Sequence, residues 1–296
     1  MKLDSRQCAA LMAVIDSGSF EQAAVLLHLT PSAVSQRVRA LEDFLGSPLI
    51  VRSRPCRPTP AGRRVVQHLR RVQSLEDDLQ AEFAGGAEEP LSIAIAVNAD
   101  TLGSWLLPAL APFLIREQVL LDLSVDDQDH TYALLQAGLA LGCISTEAKP
   151  MRGCVAEPLG IMRYRCMASP QFRAKWFAKG MTRAAVRKAP VVVFNRKDRL
   201  QADFLLRHYG LPDDAYPVHY IPASQPFMQA IALGLGWGML PEVQMREWQE
   251  AGLLVDLAPH RPSDVALYWH AWKLQSPRME RLSKALVESA RQILEE

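Results

Sequence analysis

The apolar positions of this chain change their period along its length. Over residues 8–45 they fall at helical spacing: Cys8, Leu11, Met12 and Ile15, then Ala23, Ala24 and Leu27, then Val34, Val38, Leu41 and Leu45. That spacing turns one stripe of each helix toward a shared core. The punctuation agrees with it. Asp4 with Gln7 and Ser19 with Gln22 make capping-box pairs, Gly18 stops the first helix, and Thr30 is an N-cap with Pro31 at the first helical position. Gly46 is placed as the C-terminal glycine of the third helix. The next segment, PLIVRSRPCRPTPAG, predicts two short extended pieces about a proline-bearing turn. A long helix over 61–83 follows, with Val65, Leu69, Val72, Leu75, Leu79 and Phe83 spaced as a coiled-coil seam. It gives way to AGGAEEP, a hinge composition.

Beyond Pro90 strand-like and helix-like patterns alternate. LSIAIAV, the strictly alternating LLDLSVD, and LGCIST are extended, while DTLGSWLLPALAPFL and HTYALLQAG are helical. A second set follows in APVVVFN, LQADFLLRHYG, VHYIPAS, PFMQAIALG and WGMLP. Residues 267–272 predict a late strand before a final amphipathic helix. This alternation predicts an α/β domain with parallel strands.

Composition adds limits. With 49% hydrophobic and 22% charged residues, the chain is an ordinary globular one of two or three domains. Its first residues carry no cleavage-site pattern, so no signal peptide is expected. The longest uncharged apolar stretch, 101–115, holds Pro108 and Pro112 and falls short of the roughly 20 residues of a membrane span. Five cysteines, never closer than eleven apart, fit reduced thiols and a cytoplasmic location. The net charge of +1 conceals an asymmetry: residues 1–71 carry eleven Lys/Arg against five acids, +6, and the remainder carries −5. A basic head on an acidic body suits a polyanion at the head alone.

The third helix segregates a second stripe, Ser32, Ser35, Gln36 and Arg39, opposite its apolar one. These side chains, with Arg37 beside them, match donors and acceptors on base edges. Thr30 places helix N-terminal N–H groups for a phosphate. A short helix, a turn and this helix make a helix-turn-helix, and Arg52, Arg54 and Arg57 fall on the wing that follows. A solvated polar stripe is the plainer alternative; the basic wing and the +6 head favour double-stranded DNA.

The stretch SFEQAAVLLHLTPSAVSQRVRALEDFLGSPLIVR resembles the LysR-type transcriptional regulators, fitting their pattern A-[VI]-S-x-x-[IV]-x-x-L-E-x-x-L-G over residues 33–46. RSRPCRPTPAG departs from the usual ending, with Pro58 where Leu is common, and Ile50 stands where Phe is common. That variant, with IAVNAD, VDDQDH, MRY, GLGWGMLPE and LYWHAWKL, is similar to the ArgP/LysG branch, whose members sense basic amino acids and control their export. The resemblance implies a winged helix-turn-helix over 1–61, a linker and dimerisation helix over 62–84, a hinge over 85–90 and a two-lobed effector domain like a periplasmic binding protein over 91–296. Lobe 1 would take about 91–162 and 268–296, and lobe 2 about 163–267. It implies a homodimer or homotetramer, promoter DNA and RNA polymerase as partners, and L-lysine or L-arginine as effector, with no cofactor and no membrane.

Small ligands of such domains sit at the carboxyl ends of the strands. Asn98, Asp100 and Thr101 follow the first strand, Asp126 and Asp127 the second, and Ser145 and Thr146 the third; Asn195, Ser224 and Phe227 come from the other lobe, with Tyr164 near the crossover. Helix N-termini near Thr101 or Ser224 suit an α-carboxylate, and carboxylates suit the cations. For Asp100 a helix cap is an equal alternative; for Ser145, Thr146 and Asn195 strand-end hydrogen bonding is the favoured reading, as a core position is for Tyr164. VDDQDH fails as a calcium loop, since Thr131 stands at position six and Ala137 at position twelve. Asp129 suits a helix cap, leaving Asp126 and Asp127 to hold an ammonium or guanidinium. No enzyme constellation appears: there is no G-x-S-x-G, no H-E-x-x-H and no cysteine pair at metal spacing. A ligand-independent architectural or replication-associated DNA protein and a thiol-based redox regulator of the same family are the alternatives.

Overall fold

The computed structural model describes residues 3–83, 92–125 and 131–294. The sequence-predicted hinge over 85–90 and the aspartates Asp126, Asp127 and Asp129 lie outside the described residues.

Three helices, α1 (Ser5–Ser17), α2 (Phe20–Leu26) and α3 (Pro31–Leu45), build the head. Their ends are set by the residues that the sequence marks. The Asp4 carboxylate accepts from the N–H groups of Arg6 and Gln7, the Ser19 hydroxyl oxygen from that of Gln22, and Thr30 Oγ1 from that of Ala33. Gly18 and Gly46 close α1 and α3 in the left-handed conformation. Leu11, Val14, Ala23, Val34, Val38 and Leu41 are fully buried between them. A two-stranded wing, β1 (Ile50–Val51) antiparallel to β2 (Arg57–Pro58), is tied to α3 by Glu42, whose Oε1 accepts from Leu49 N–H at 2.7 Å.

The linker helix α4 (Pro60–Phe83) divides the apolar seam between two uses. Val66 is fully buried in the head core with Val65 and Leu69 packed beside it. Farther along, Leu79 is 55% and Phe83 83% exposed. The opposite face of α4 lies on the body.

In the body, β3 (Ser92–Val97), β4 (Leu120–Val125) and β5 (Gly142–Ser145) are parallel, with β3 in the middle. Between them run α5 (Ala99–Gly103), α6 (Leu106–Glu117) and α7 (Thr131–Ala137). The helix expected over DTLGSWLLPALAPFL is broken at Ser104 because Pro108 cannot continue a helix from α5: its ring would meet the Ser104 carbonyl. The chain then enters β6 (Cys154–Ala168), fifteen residues long. Lobe 2 follows: α8 (Pro170–Trp176), α9 (Arg183–Val186), β7 (Val191–Val193), α10 (Leu200–Tyr209), β8 (Val218–Tyr220), α11 (Ser224–Ala232), β9 (Gly238–Pro241), α12 (Glu242–Glu250) and β10 (Val255–Asp256). The chain returns through β11 (Ser263–Trp272) and ends in α13 (Pro277–Ile293).

The expectation of a parallel sheet holds for part of the body. The seven-stranded sheet has the order β10-β6-β11-β5-β3-β4, with β9 also on β6, and every pairing of β6 and β11 is antiparallel. The sheet is mixed because β6 and β11 enter and leave lobe 2 side by side in opposite directions. β7 and β8 form a separate parallel pair.

Lobe 1 docks on α4 through the end of α7. Gln67 Nε2 donates to the Gln136 carbonyl, the Arg71 guanidinium stands 4.7 Å from the Trp272 ring centroid, and Arg278 N–H donates to Asp78 at 2.9 Å. Gly138 has φ +74°, and a Cβ there would lie 2.9 Å from the Gln67 backbone nitrogen. Gly138→Ala combines left-handed strain with a clash at this joint, and a loss of about 1–3 kcal/mol is expected in denaturant titration. The same variant should expose the α4–body joint to faster proteolysis.

Candidate functional site

The polar face of α3 is open. Ser32, Gln36 and Arg39 are exposed, Ser35 and Arg37 half-buried, while Val34, Val38 and Leu41 seal the other face. Thr30 is exposed and spends its hydroxyl oxygen on the cap. Arg52, Arg54 and Arg57 are exposed on the wing, where Arg52 lies 5.0 Å from the Phe20 ring centroid. Among the described residues Arg37, Arg39, Arg54 and Arg57 form no salt bridge. A helix face with amide, hydroxyl and guanidinium groups, flanked by a basic wing, has the chemistry and the geometry for a major groove and its phosphates.

The second site is the cleft between the lobes. A pocket with about 530 Å³ of open space is walled by Asn98 and Asp100 of lobe 1, Tyr164 of β6, and Phe194, Asp198, Gln201 and Phe227 of lobe 2. Leu200 and Met239 complete its apolar wall. Asn98, Asp100 and Asp198 are each held from behind. Asn98 caps α5, its Oδ1 accepting from Thr101 N–H at 3.2 Å. Asp100 joins three elements: the Tyr164 hydroxyl donates to Oδ2 at 2.9 Å and the Ser224 hydroxyl to Oδ1 at 3.1 Å. Gln244 Nε2 in turn donates to Ser224 Oγ at 3.0 Å. Asp198 accepts from the backbone N–H groups of Leu200 at 2.9 Å and Phe194 at 3.3 Å, which fixes its carboxylate at the start of α10. Gln201, 1% exposed, leaves its Oε1 without a hydrogen-bond donor among the described residues. Such an unmet acceptor costs about 1–3 kcal/mol.

Of the strand-end residues singled out from sequence, Asn98, Asp100, Tyr164 and Phe227 meet on this wall, and Ser224 joins them through Asp100. Others turn elsewhere. Thr101 is buried at the base of α5 and Ser145 Oγ accepts from Glu147 N–H at 3.2 Å; neither they nor Thr146 line this pocket. Asn195 forms a turn, its Oδ1 accepting from Lys197 N–H at 2.7 Å and Asp198 N–H at 3.2 Å. The strand-end rule stops too early there: the chain uses Asn195 to aim Asp198 and Gln201, three and six residues on. Phe194, Leu200 and Met239 carried no signal beyond their apolarity.

Among the described residues no group of three His, Cys, Asp or Glu side chains could hold a metal ion, and no helix is long and apolar enough to cross a membrane. The five cysteines are free thiols, and Cys143, Cys154 and Cys166 are buried. Burial pushes the Cys154 thiol up to about 11 and those of Cys143 and Cys166 well above the ordinary range. They are protonated at neutral pH, the reverse of a reactive sensor thiolate.

Comparison with known proteins matches residues 5–63 to the bacterial regulatory helix-turn-helix proteins of the lysR family and residues 85–291 to the LysR substrate binding domain. The chain is 40% identical over 294 residues to the HTH-type transcriptional regulator ArgP of Aeromonas salmonicida, covering 99% of this chain and 98% of that protein. The crystal structure of ArgP from Mycobacterium tuberculosis superposes with a TM-score of 0.86 at 39% identity, covering 99% of both chains. Full-length LysG from Corynebacterium glutamicum with bound effector Arg superposes with a TM-score of 0.80 at 35% identity, over 99% of this chain and 100% of that one. With an open recognition helix, a basic wing and a two-lobed body with a cleft pocket, the chain belongs to the LysR family of bacterial helix-turn-helix transcriptional regulators.

Proposed function

We propose that this regulator senses a basic amino acid, L-arginine or L-lysine, in its cleft and couples that occupancy to binding at a promoter, controlling genes of amino-acid export or metabolism. The observation that carries the reading is the cleft wall: among the described residues it bears two carboxylates, Asp100 and Asp198, and no Lys or Arg. A ligand of net positive charge suits that wall, and the arginine-bound structure of the 35%-identical LysG supports the same class. Asp126 and Asp127, next in sequence after β4, are proposed as further acceptors. Residues 1–61 would meet DNA and 62–84 would pair two copies, with the exposed Leu75, Leu79 and Phe83 as the seam of a homodimer or homotetramer. Such a protein works in the cytoplasm, with RNA polymerase as a further partner. The burial of Cys143, Cys154 and Cys166 speaks against a thiol switch among them.

The mechanism is a population shift. A ligand moves the equilibrium between lobe arrangements only by its difference in affinity for them. Asp100 supplies that difference, because its partners Tyr164 and Ser224 lie on β6 and α11 and a cation beside it strengthens one arrangement of all three.

Calorimetric titration with L-arginine, L-lysine and L-histidine tests the reading: binding of arginine or lysine is expected, weakened at least tenfold by Asp100→Asn. Binding of none of them would return the body to an architectural role. On the head, Arg39→Ala is expected to lower operator affinity by about 1–3 kcal/mol and relax specificity at its base pair. Arg54→Ala should weaken all sequences alike and reduce the slope of log K against log salt by about 1. An Arg39→Ala protein with unchanged operator affinity would refute the assignment of α3.

A further inference from the structure

We infer that Gln201 determines the selectivity of the cleft, accepting a hydrogen bond from the side-chain nitrogen of the effector. The inference rests on the basic-amino-acid reading and adds which residue recognises the feature that sets such a ligand apart. Several buried side-chain atoms lack a partner among the described residues, including those of Thr101, Trp105, Trp237 and His270. Gln201 is the one of them on the cleft wall. Buried side-chain oxygens almost always have a donor, and an exception in a concave site points to a donor supplied by a ligand.

The distribution of polar groups says which part of the ligand it serves. The Asp100 end gathers a carboxylate with the hydroxyls of Tyr164 and Ser224 and lies beside the first turns of α5 and α11. Its acceptor is the Asp100 carboxylate, and its donors are the N–H groups of the first turn of α11, which no side chain caps; a zwitterionic α-carbon requires both. The other end offers the Asp198 carboxylate and, three residues on at the first turn of α10, the Gln201 amide. Acceptors predominate there, which suits an ammonium or guanidinium. A carboxylate supplies charge, and a buried amide carbonyl supplies direction. A site that leaves a buried acceptor unmet when a ligand N–H is missing discriminates strongly against that ligand.

The test compares wild type, Gln201→Leu and Gln201→Glu with L-arginine, L-lysine and L-norleucine, which keeps the α-groups and lacks the side-chain nitrogen. In Gln201→Leu the affinity for arginine and lysine is expected to fall at least tenfold, with norleucine binding unchanged or improved. The thermal midpoint of the ligand-free variant should be equal or higher, since the unmet carbonyl is gone. Gln201→Glu should retain arginine and lysine binding. Failure of the wild type to bind either basic amino acid overturns the reading and the inference together. Wild-type binding with undiminished affinity in Gln201→Leu overturns the inference alone. So does a variant that loses arginine and norleucine equally, or one whose ligand-free midpoint drops, because either marks a general packing role.

Discussion

The body depends on one antiparallel ladder. β6 and β11 pair from Cys154 and Trp272 at one end to Tyr164 and Ser263 at the other, and both strands pass from one lobe into the other. Every element of lobe 2 hangs between the end of β6 and the start of β11, so the two strands are its tether to lobe 1. A ladder resists stretching and shear through its hydrogen bonds, while it twists and bends at low cost. The register shift between Leu267 and Tyr268, opposite Pro158 and Gly160, is where this one is least regular. Pro158 has no N–H to give, and the shift absorbs the missing bond. Lobe 2 is thereby held at a fixed height above lobe 1 and left freer in angle, the condition a ligand-closed cleft needs.

Asp100 then sets which angle is preferred. Its carboxylate takes hydroxyl hydrogen bonds from Tyr164 on the ladder and Ser224 on α11, so a single side chain of lobe 1 holds both the strand pair and lobe 2. Charge-assisted bonds of this kind are about twice as strong as neutral ones. Any cation entering beside Asp100 meets an acceptor already oriented by two donors, with no rotamer left to fix. Ser224 in turn is positioned by Gln244, which carries the network to α12. On the proposed reading, recognition and lobe geometry are therefore one network and not two properties added together.

The head was almost wholly legible in the sequence. Its ends are decided by local chemistry: Asp4, Ser19 and Thr30 cap because their oxygens reach the next free N–H groups, and Gly18 and Gly46 terminate because they alone accept a left-handed turn cheaply. The body was legible where strands alternate with helices and obscure where distant pairing decides. β6 carries Pro158 and Gly160, which argue against a strand locally; fifteen residues of pairing with β9, β10 and β11 override them. The site divided in the same way. Asn98 and Asp100 lie directly at a strand end and follow from that rule, whereas Asp198 and Gln201 reach the cleft through a turn made by Asn195. The fold of such a turn depends on side-chain to backbone bonds that no periodicity announces.

The linker helix shows why the cleft and the head cannot be independent. The chain leaves the cleft side of lobe 1, forms α7, and at once meets α4, where Gln136 takes a bond from Gln67 and Gly138 lies against its backbone. The next residue, Leu139, packs on the head core itself. From the start of α7 to that contact is less than ten residues, and Thr131 pins the near end by donating from Oγ1 to the Ile144 carbonyl at 2.6 Å. A seven-residue helix fastened at both ends moves as a rigid rod. A change in lobe 1 at the cleft must therefore be taken up at Gln67 or by sliding at Leu139. α4 also carries Arg71 on Trp272 and Asp78 on the start of α13, so the body grips the linker helix at several points, while Leu139 is its contact with the core of the helix-turn-helix domain.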